Sequence, residues 1–297
     1  MSKNNFKVSI GLPVYNGENF LKYALDSLLS QTFRDFELII SDNASTDTTP
    51  KICQEYVLRD KRIRYIRQNK NMGALWNFNF VLKQSNKEYF IWVSSDDKLH
   101  PEFLEKNIDI LEKNKNVVCS IGDVIYSDVI NYEFKLNNDT KKIFRQKYVK
   151  STYGTYESKV RTYLKFFQAS MIYGLYRRDK LQKSITINKI FLAFDLSIIL
   201  NVLKYGDFHV IDENLLHRYN KGSHSIIGTL RKYDISLINI IFLELPFTFW
   251  CLKNLGFKNF IRNFDVFLKI NIVGGLTILF ETIRISKRIV FRQDMFW

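Results

Sequence analysis

The sequence predicts an α/β fold in which a mostly parallel, Rossmann-like sheet is flanked by helices and followed by a helical C-terminal extension. Three observations carry that expectation. From residue 7 to about 123, short apolar runs alternate with amphipathic stretches of helical spacing. Polar clusters sit directly after the apolar runs. Beyond residue 226 the alternation stops and the chain becomes apolar and basic. Strands that alternate with helices of this length imply right-handed crossovers and parallel pairing.

The elements follow in order. Val8 to Val14, Phe36 to Ser41, Ile63 to Arg67, Tyr89 to Val93 and Val117 to Ile121 read as strands, being short apolar runs bounded by turn formers. Asn19 to Ser30, Thr48 to Arg59, Ala74 to Lys83 and Pro101 to Lys113 read as helices; Leu21, Leu25, Leu28 and Leu29 fall three or four apart, on one face. Such sheets bind ligands outside the carboxyl ends of their strands. The polar residues Tyr15 to Glu18, Asp42 to Asp47, Asn69 to Gly73 and Ser94 to Asp97 fall at four of those ends. Residues 126–225 are less regular, with a helical run around Phe191 to Lys204 and a segment rich in hydrogen-bonding groups from Leu216 to Ser225.

With 297 residues, 46% of them hydrophobic, the chain can bury a large core, which excludes disorder for the whole. The net charge of +14 is unevenly spread: residues 1–125 are nearly balanced and the excess falls in 126–297. A basic region attracts nucleic acid, anionic lipid or a phosphorylated substrate. The neutral first half gives little support to nucleic acid. Cys53, Cys119 and Cys251 are odd in number and widely spaced, which suggests neither a disulfide framework nor a thiolate zinc site. The N-terminus runs into the first strand without an apolar leader, so a cytoplasmic location is expected.

Asp96 and Asp97 carry the most chemical information. They follow the apolar run Phe90 to Val93, and adjacent like charges at a strand end repel unless a cation or hydrogen bonds compensate them. Magnesium or manganese suits such oxygen ligands and can hold a substrate diphosphate at the same time. The alternative is that one aspartate caps the helix near Pro101 while the other is solvated. Asp42 directly follows the second strand and is expected to contact ligand, whereas Asp47 fits a helix cap as well as a ligand contact. Neither a Gly-x-Gly-x-x-Gly loop nor a Gly-Lys-Ser/Thr loop is present, which weakens dehydrogenase and P-loop readings.

In the tail, Leu237 to Leu252 is interrupted by Glu244 and Pro246, and Val266 to Phe280 is short and contains Lys269. Neither matches the roughly 20 apolar residues of a spanning helix. Phe260, Phe264 and Phe267 recur at helical period opposite Arg262 and Asn263, with Lys258 and Lys269 beside them and a basic segment ending in Phe296-Trp297. This is the pattern of an interfacial helix on an anionic membrane surface. Packing on the catalytic domain or an oligomer contact through these helices is the competing reading.

The ordered segments Val8 to Glu18, Ser30 to Phe33, Glu37 to Asp47, Asn71 to Gly73 and Ser95 to Asp97 resemble the signature of family 2 glycosyltransferases with the GT-A fold, of the kind that builds bacterial or archaeal surface glycans. The resemblance is strong over residues 6–125, weaker to 225 and absent beyond. It implies a GT-A catalytic domain over 1–225, with a nucleotide-binding half (1–125) and an acceptor-binding half (126–225), and an extension over 226–297. It further implies inverting, metal-dependent transfer from a nucleoside-diphosphate sugar, a UDP-sugar being favoured. The amphipathic, basic tail suggests a glycan or polyprenyl-linked acceptor at the cytosolic face of the membrane, and the lack of an extended pore-forming segment favours addition of a single sugar. Pro13, Tyr15 and Glu18 would wall the nucleotide pocket, with Asn71 and Gly73 in the third loop; Asp42 would read the base. Asp96 would lie beside the ribose and Asp97 would hold Mn2+ or Mg2+. Asp195 would be the general base, in a Phe194-Asp195 pair where the family has Glu-Asp; its competing role is a helix N-cap. Arg177 and Arg178 would face the acceptor. Arg218 would assist the diphosphate, in a segment where Asn220 stands at the usual histidine position and His224 follows. A sugar nucleotidyltransferase and a non-enzymatic nucleic-acid binder are the rival classes.

Overall fold

The computed structural model describes residues 6–127, 144–145, 150–166, 169–185, 194–219, 245–273 and 275–276. The chain opens with β1 (Val8–Val14), α1 (Leu21–Leu29), β2 (Phe36–Asp42), α2 (Thr49–Arg59), β3 (Ile63–Arg67), α3 (Ala74–Gln84) and β4 (Tyr89–Trp92). These strands pair in parallel, β1 between β2 and β4 and β2 beside β3, with Val8 opposite Phe36 and Val14 opposite Asp42. The apolar runs form central strands because both faces are covered: every residue of β1 and of β4 is buried. On α1, Leu21, Ala24, Leu25 and Leu28 turn inward, as the leucine spacing requires.

After β4 the sheet becomes mixed. β5 (Asp97–Leu99), α4 (Phe103–Lys113), β6 (Val117–Ser127), β7 (Phe144–Arg145), α5 (Tyr156–Phe166), β8 (Leu175–Arg177), α6 (Arg178–Ser184), α7 (Phe194–Val202) and β9 (Asp207–Tyr219) follow, with a 3-10 turn at Ala169–Tyr173. The order across the sheet is β3-β2-β1-β4-β8-β6-β9-β5, and β7 pairs with β6. β4 and β5 are joined by residues 93–96 alone, yet three strands stand between them in the sheet, so the sheet curls back on itself at that turn. The long β6–β9 pairing is parallel, with register shifts around Gly122 and Asp123 that bend both strands. Trp92, Tyr176 and Phe208 fill the core where the parallel and mixed halves meet, in edge-on ring contacts.

Through residue 127 the expected strands and helices are observed to within a few residues at each end, β6 runs on past Ile121 to Ser127, and β5 (Asp97–Leu99) is a strand that the sequence reading did not include. The extension holds α8 (Leu245–Asn254), α9 (Phe257–Arg262) and a further helix, α10, over 264–273. Among the described residues no helix is long and apolar enough to cross a membrane.

The facing of α9 and α10 corrects the sequence reading. Phe267 is buried and stacks on Phe260 at 5.0 Å, while Asn263, expected on the solvent side, is 1% exposed. The rotation is set by α5: Arg161 donates to the Arg262 carbonyl at 3.0 Å and pairs with Asp265. Glu244 and Phe296-Trp297 lie outside the described residues.

At Gly122 a side chain would run into Leu215 on the neighbouring strand, where no backbone shift is available without breaking the β6–β9 seam. Gly122→Ala is therefore expected to destabilise the fold by roughly 1–3 kcal/mol in urea unfolding. Wild-type stability in that variant would disprove the close approach.

Candidate functional site: a nucleotide rim with a buried aspartate–arginine pair

The carboxyl ends of β1, β2 and β3 are sewn together by their loops. Asn16, in the left-handed region at φ 51°, takes the Thr46 amide on its side-chain oxygen at 2.8 Å and donates its own amide to Ser45 at 2.9 Å. Gly17 donates to Thr49 Oγ1 at 2.8 Å. Glu18 accepts from the amide and hydroxyl of Thr48 at 3.1 and 2.8 Å, so its carboxylate braces the second loop. Asp47 accepts from the amides of Glu18 and Thr49 at 3.1 and 2.9 Å. Pro13 is buried at the end of β1, and Tyr15 is exposed beside it.

Asp42 is fully enclosed. One oxygen accepts from the Ser45 amide at 2.8 Å, the other from the Tyr65 hydroxyl at 2.8 Å, with Arg67 Nε at 3.6 Å. Burial and the adjacent Asp42 carboxylate push the Tyr65 phenol upward, so it remains a proton donor. The third loop is held by Asn43, whose side chain donates to Asn71 Oδ1 at 2.8 Å and accepts from the Met72 amide at 2.9 Å. Asn71 also takes the Gly73 amide at 2.8 Å, and Gly73 opens α3 at φ 86°, a conformation that suits glycine.

Beside the first of these loops, with Ser95 against Gly17, lies the turn between β4 and β5. Asp96 is exposed, whereas the Asp97 side chain is 1% exposed. Asp97 stands across from Arg218 in the antiparallel β5–β9 ladder, and its Oδ1 accepts from Arg218 Nε at 3.1 Å. Its Oδ2 is buried without a partner among the described residues. Burial raises the Asp97 carboxyl to about 6, against the opposing charge of Arg218. Burial pulls the Arg218 guanidinium the other way, yet Asp97 leaves it raised overall. The directions conflict over which form the pocket favours. Arginine stays protonated at any working pH, so the pair is ionised at neutrality. Arg218 is further held by Tyr173, whose ring lies 4.1 Å beneath the guanidinium and whose hydroxyl accepts from Nη2 at 3.2 Å.

Asp195 occupies the first turn of α7, with Oδ1 accepting from the Leu196 amide at 3.0 Å. Burial raises its carboxyl above the ordinary range, and the hydrogen bond from the Leu196 amide and the charge of Arg218 offset part of the rise.

The arginines expected on the acceptor side go elsewhere. Arg177 pairs with Tyr89 at the amino end of β4, away from the rim, and donates to the carbonyls of Val117 and Leu111 at 2.9 and 2.5 Å. Arg178 donates to Ser85 Oγ at 2.9 Å. Both tie strand ends to helix ends, and the acceptor reading is corrected on that ground. Tyr173, Tyr65 and Asn43 are contributors that the sequence reading did not single out as site residues. For Asn43 the signal was its place directly after Asp42; the two tyrosines carry no local signal. Asn220 and His224 lie outside the described residues.

The profile described as Glycosyl transferase family 2 matches residues 9–184, which span β1 to α6. The chain belongs to that family. An uncharacterized glycosyltransferase of Rickettsia typhi is 37% identical over 126 residues, 41% of this chain and 38% of the relative. Glycosyltransferase GlyA of Streptococcus pneumoniae is 36% identical over 99 residues, 33% of this chain and 14% of its own. The chain thus spans well under two thirds of the curated relatives it matches. In structure it is similar to S. aureus TarS 1-349 in complex with UDP-GlcNAc, at TM-score 0.58 and 20% identity, covering 74% of this chain and 60% of that one. That likeness shows a shared GT-A fold. Family membership leaves the nucleotidyltransferase and nucleic-acid-binding alternatives without support.

Removing Arg218 would strand a buried carboxylate. Arg218→Met is expected to cost about 3 kcal/mol or more at pH 7. Loss of Arg218 removes the charge that holds the Asp97 carboxyl down, so in the variant it titrates above the wild-type value of about 6; the deficit should narrow as pH falls toward about 6, below which Asp97 is protonated in both proteins. Adding Asp97→Asn should restore much of the loss in urea titrations; no recovery in that double variant would count against the pair as the source.

Proposed function

We propose that the protein transfers a single sugar, with inversion, from a nucleoside-diphosphate sugar, a UDP-sugar being favoured, to a hydroxyl of a glycan or polyprenyl-linked acceptor in surface-glycan synthesis. Residues 1–225 form the catalytic domain, 1–125 serving the nucleotide and 126–225 the acceptor, and 226–297 form an extension that holds the enzyme peripherally at the cytosolic face of the membrane. The observation that carries the reading is a buried carboxylate at Asp97, in the turn after β4, which pairs with Arg218 through one oxygen and has no partner on the other among the described residues.

Asp195 takes the proton of the acceptor hydroxyl as its oxygen forms a bond to the anomeric carbon. The bond from that carbon to the diphosphate breaks on the opposite face, and the electron pair leaves with the nucleoside diphosphate. Arg218, fixed on Tyr173, offers a permanent positive charge to the departing diphosphate. The first three loops, with Pro13, Tyr15, Glu18, Asp42, Asn71 and Gly73, shape the nucleoside pocket, and Asp96 stands at the ribose side.

The residues fit Mn2+ or Mg2+. Asp97 Oδ2 is a buried oxygen with no protein partner, and Asp96 is exposed beside it. Among the described residues there is no cluster of three or more acidic, histidine or cysteine ligands. That agrees with an ion held by one or two carboxylates, substrate phosphates and water. Once bound, such an ion supplies charge neutralisation at the diphosphate.

Asp195→Asn is expected to keep donor binding while kcat falls at least about 100-fold. Near-normal turnover in that variant would remove Asp195 from the base role. Because burial raises the Asp195 carboxyl, the wild-type kcat profile should fall on its acid side at a pH above the ordinary aspartate range. The active form is the ionised one, so activity rises with pH through that limb. A flat acid limb would contradict the assignment. Hydrolysis and transfer assays across uridine, guanosine and thymidine diphosphate sugars with manganese settle the donor.

A further inference from the structure

Helices α9 and α10 bury Val266 and Phe267 together with three amides and leave a second set of apolar residues outside. Their inward side carries Asn259, Asn263 and Asn271, each buried and each donating to the carbonyl four residues earlier, at 3.1, 2.8 and 2.8 Å. Their outward side carries Phe257, 72% exposed, and Ile261, Phe264, Leu268 and Ile272, which are 50–53% exposed. Phe257 and Ile261 lie four apart on α9, and Phe264, Leu268 and Ile272 recur at four residues on α10, so each set shares one face of its helix. Phe249 and Leu252 of α8 are exposed as well. Burying amides while leaving phenylalanine, isoleucine and leucine in water is the reverse of the usual partition, and an apolar stripe of this length marks a surface made for an apolar medium or partner.

Charge selects the occupant. Lys253, Lys258, Arg262 and Lys269 are exposed along α8 to α10. The single acidic residue of 245–276, Asp265, is already paired with Arg161. A second copy seated on this face by two-fold symmetry would set the lysines and Arg262 of one chain against those of the other. An anionic lipid surface takes the apolar stripe into its acyl boundary and the cations into its headgroup layer.

We propose that the outward face of α9 and α10, through Phe257, Ile261, Phe264, Leu268 and Ile272 with Lys258, Arg262 and Lys269 at its margins, docks on an anionic membrane. This deepens the peripheral placement given above and rests on it; it replaces the phenylalanine face expected from the sequence with a different one. It is independent of the chemistry at Asp97 and Asp195.

The test uses the full chain and the triple variant F257S/F264S/L268S, in sedimentation with vesicles of phosphatidylglycerol and phosphatidylcholine and with phosphatidylcholine alone. Wild type should sediment with the anionic vesicles and be released by high salt. The variant should partition at least about tenfold less, with an unchanged unfolding midpoint and monomeric elution for both proteins. Three results would overturn the proposal: no sedimentation of wild type, equal partitioning of the variant, or a wild-type dimer that the variant dissolves. A lowered unfolding midpoint in the variant would likewise show that the chain itself covers the face. Donor hydrolysis is measured in parallel. Hydrolysis by both proteins without vesicle binding defeats the docking proposal alone, and vesicle binding without hydrolysis defeats the transferase reading alone.

Discussion

The structure depends on a buried charge being answered from far along the chain. Asp97 and Arg218 are 121 residues apart, and they meet because β5 and β9 pair antiparallel at the edge of a sheet that has curled back toward β4. A carboxylate this enclosed is costly unless it is paired and hydrogen-bonded, and Arg218 satisfies one of its oxygens. The other oxygen stays buried without a partner among the described residues. The pairing therefore ties β5 to β9 and orients the carboxylate through one contact.

Around that pair the rim is made rigid by polar side chains bonding to backbone. Glu18, Asp47, Asn16 and Asn43 each satisfy amides or hydroxyls of a neighbouring loop, so the ends of β1, β2 and β3 act as one wall. Asp42 contributes in the same way, with both oxygens engaged by the protein. Preorganisation of this kind lowers the ordering cost of binding a flexible nucleotide. Tyr173 plays the equivalent part for Arg218, presenting an aromatic face and a hydroxyl to one guanidinium.

Much of the first half was legible because its signals are local. Apolar runs with two covered faces, leucines at helical spacing and polar residues after each strand are properties of neighbouring residues, and they place the elements through residue 127 closely. The family resemblance placed Arg177 toward the acceptor, whereas the strand register turns it onto the carbonyls of Val117 and Leu111. The tail was half legible. Its amphipathic period was visible, but which stripe faces outward was not.

The sequence by itself determined the alternation of strands and helices, the ordered motifs that mark the family, and the acidic residues available at the strand ends. Tertiary structure alone decided which aspartate is buried, what answers its charge, where the arginines are spent, and how α9 and α10 are rotated against α5. The reason is one of range. Periodicity and turn chemistry act over a few residues, while desolvation and ion pairing depend on groups that only the closed sheet brings together.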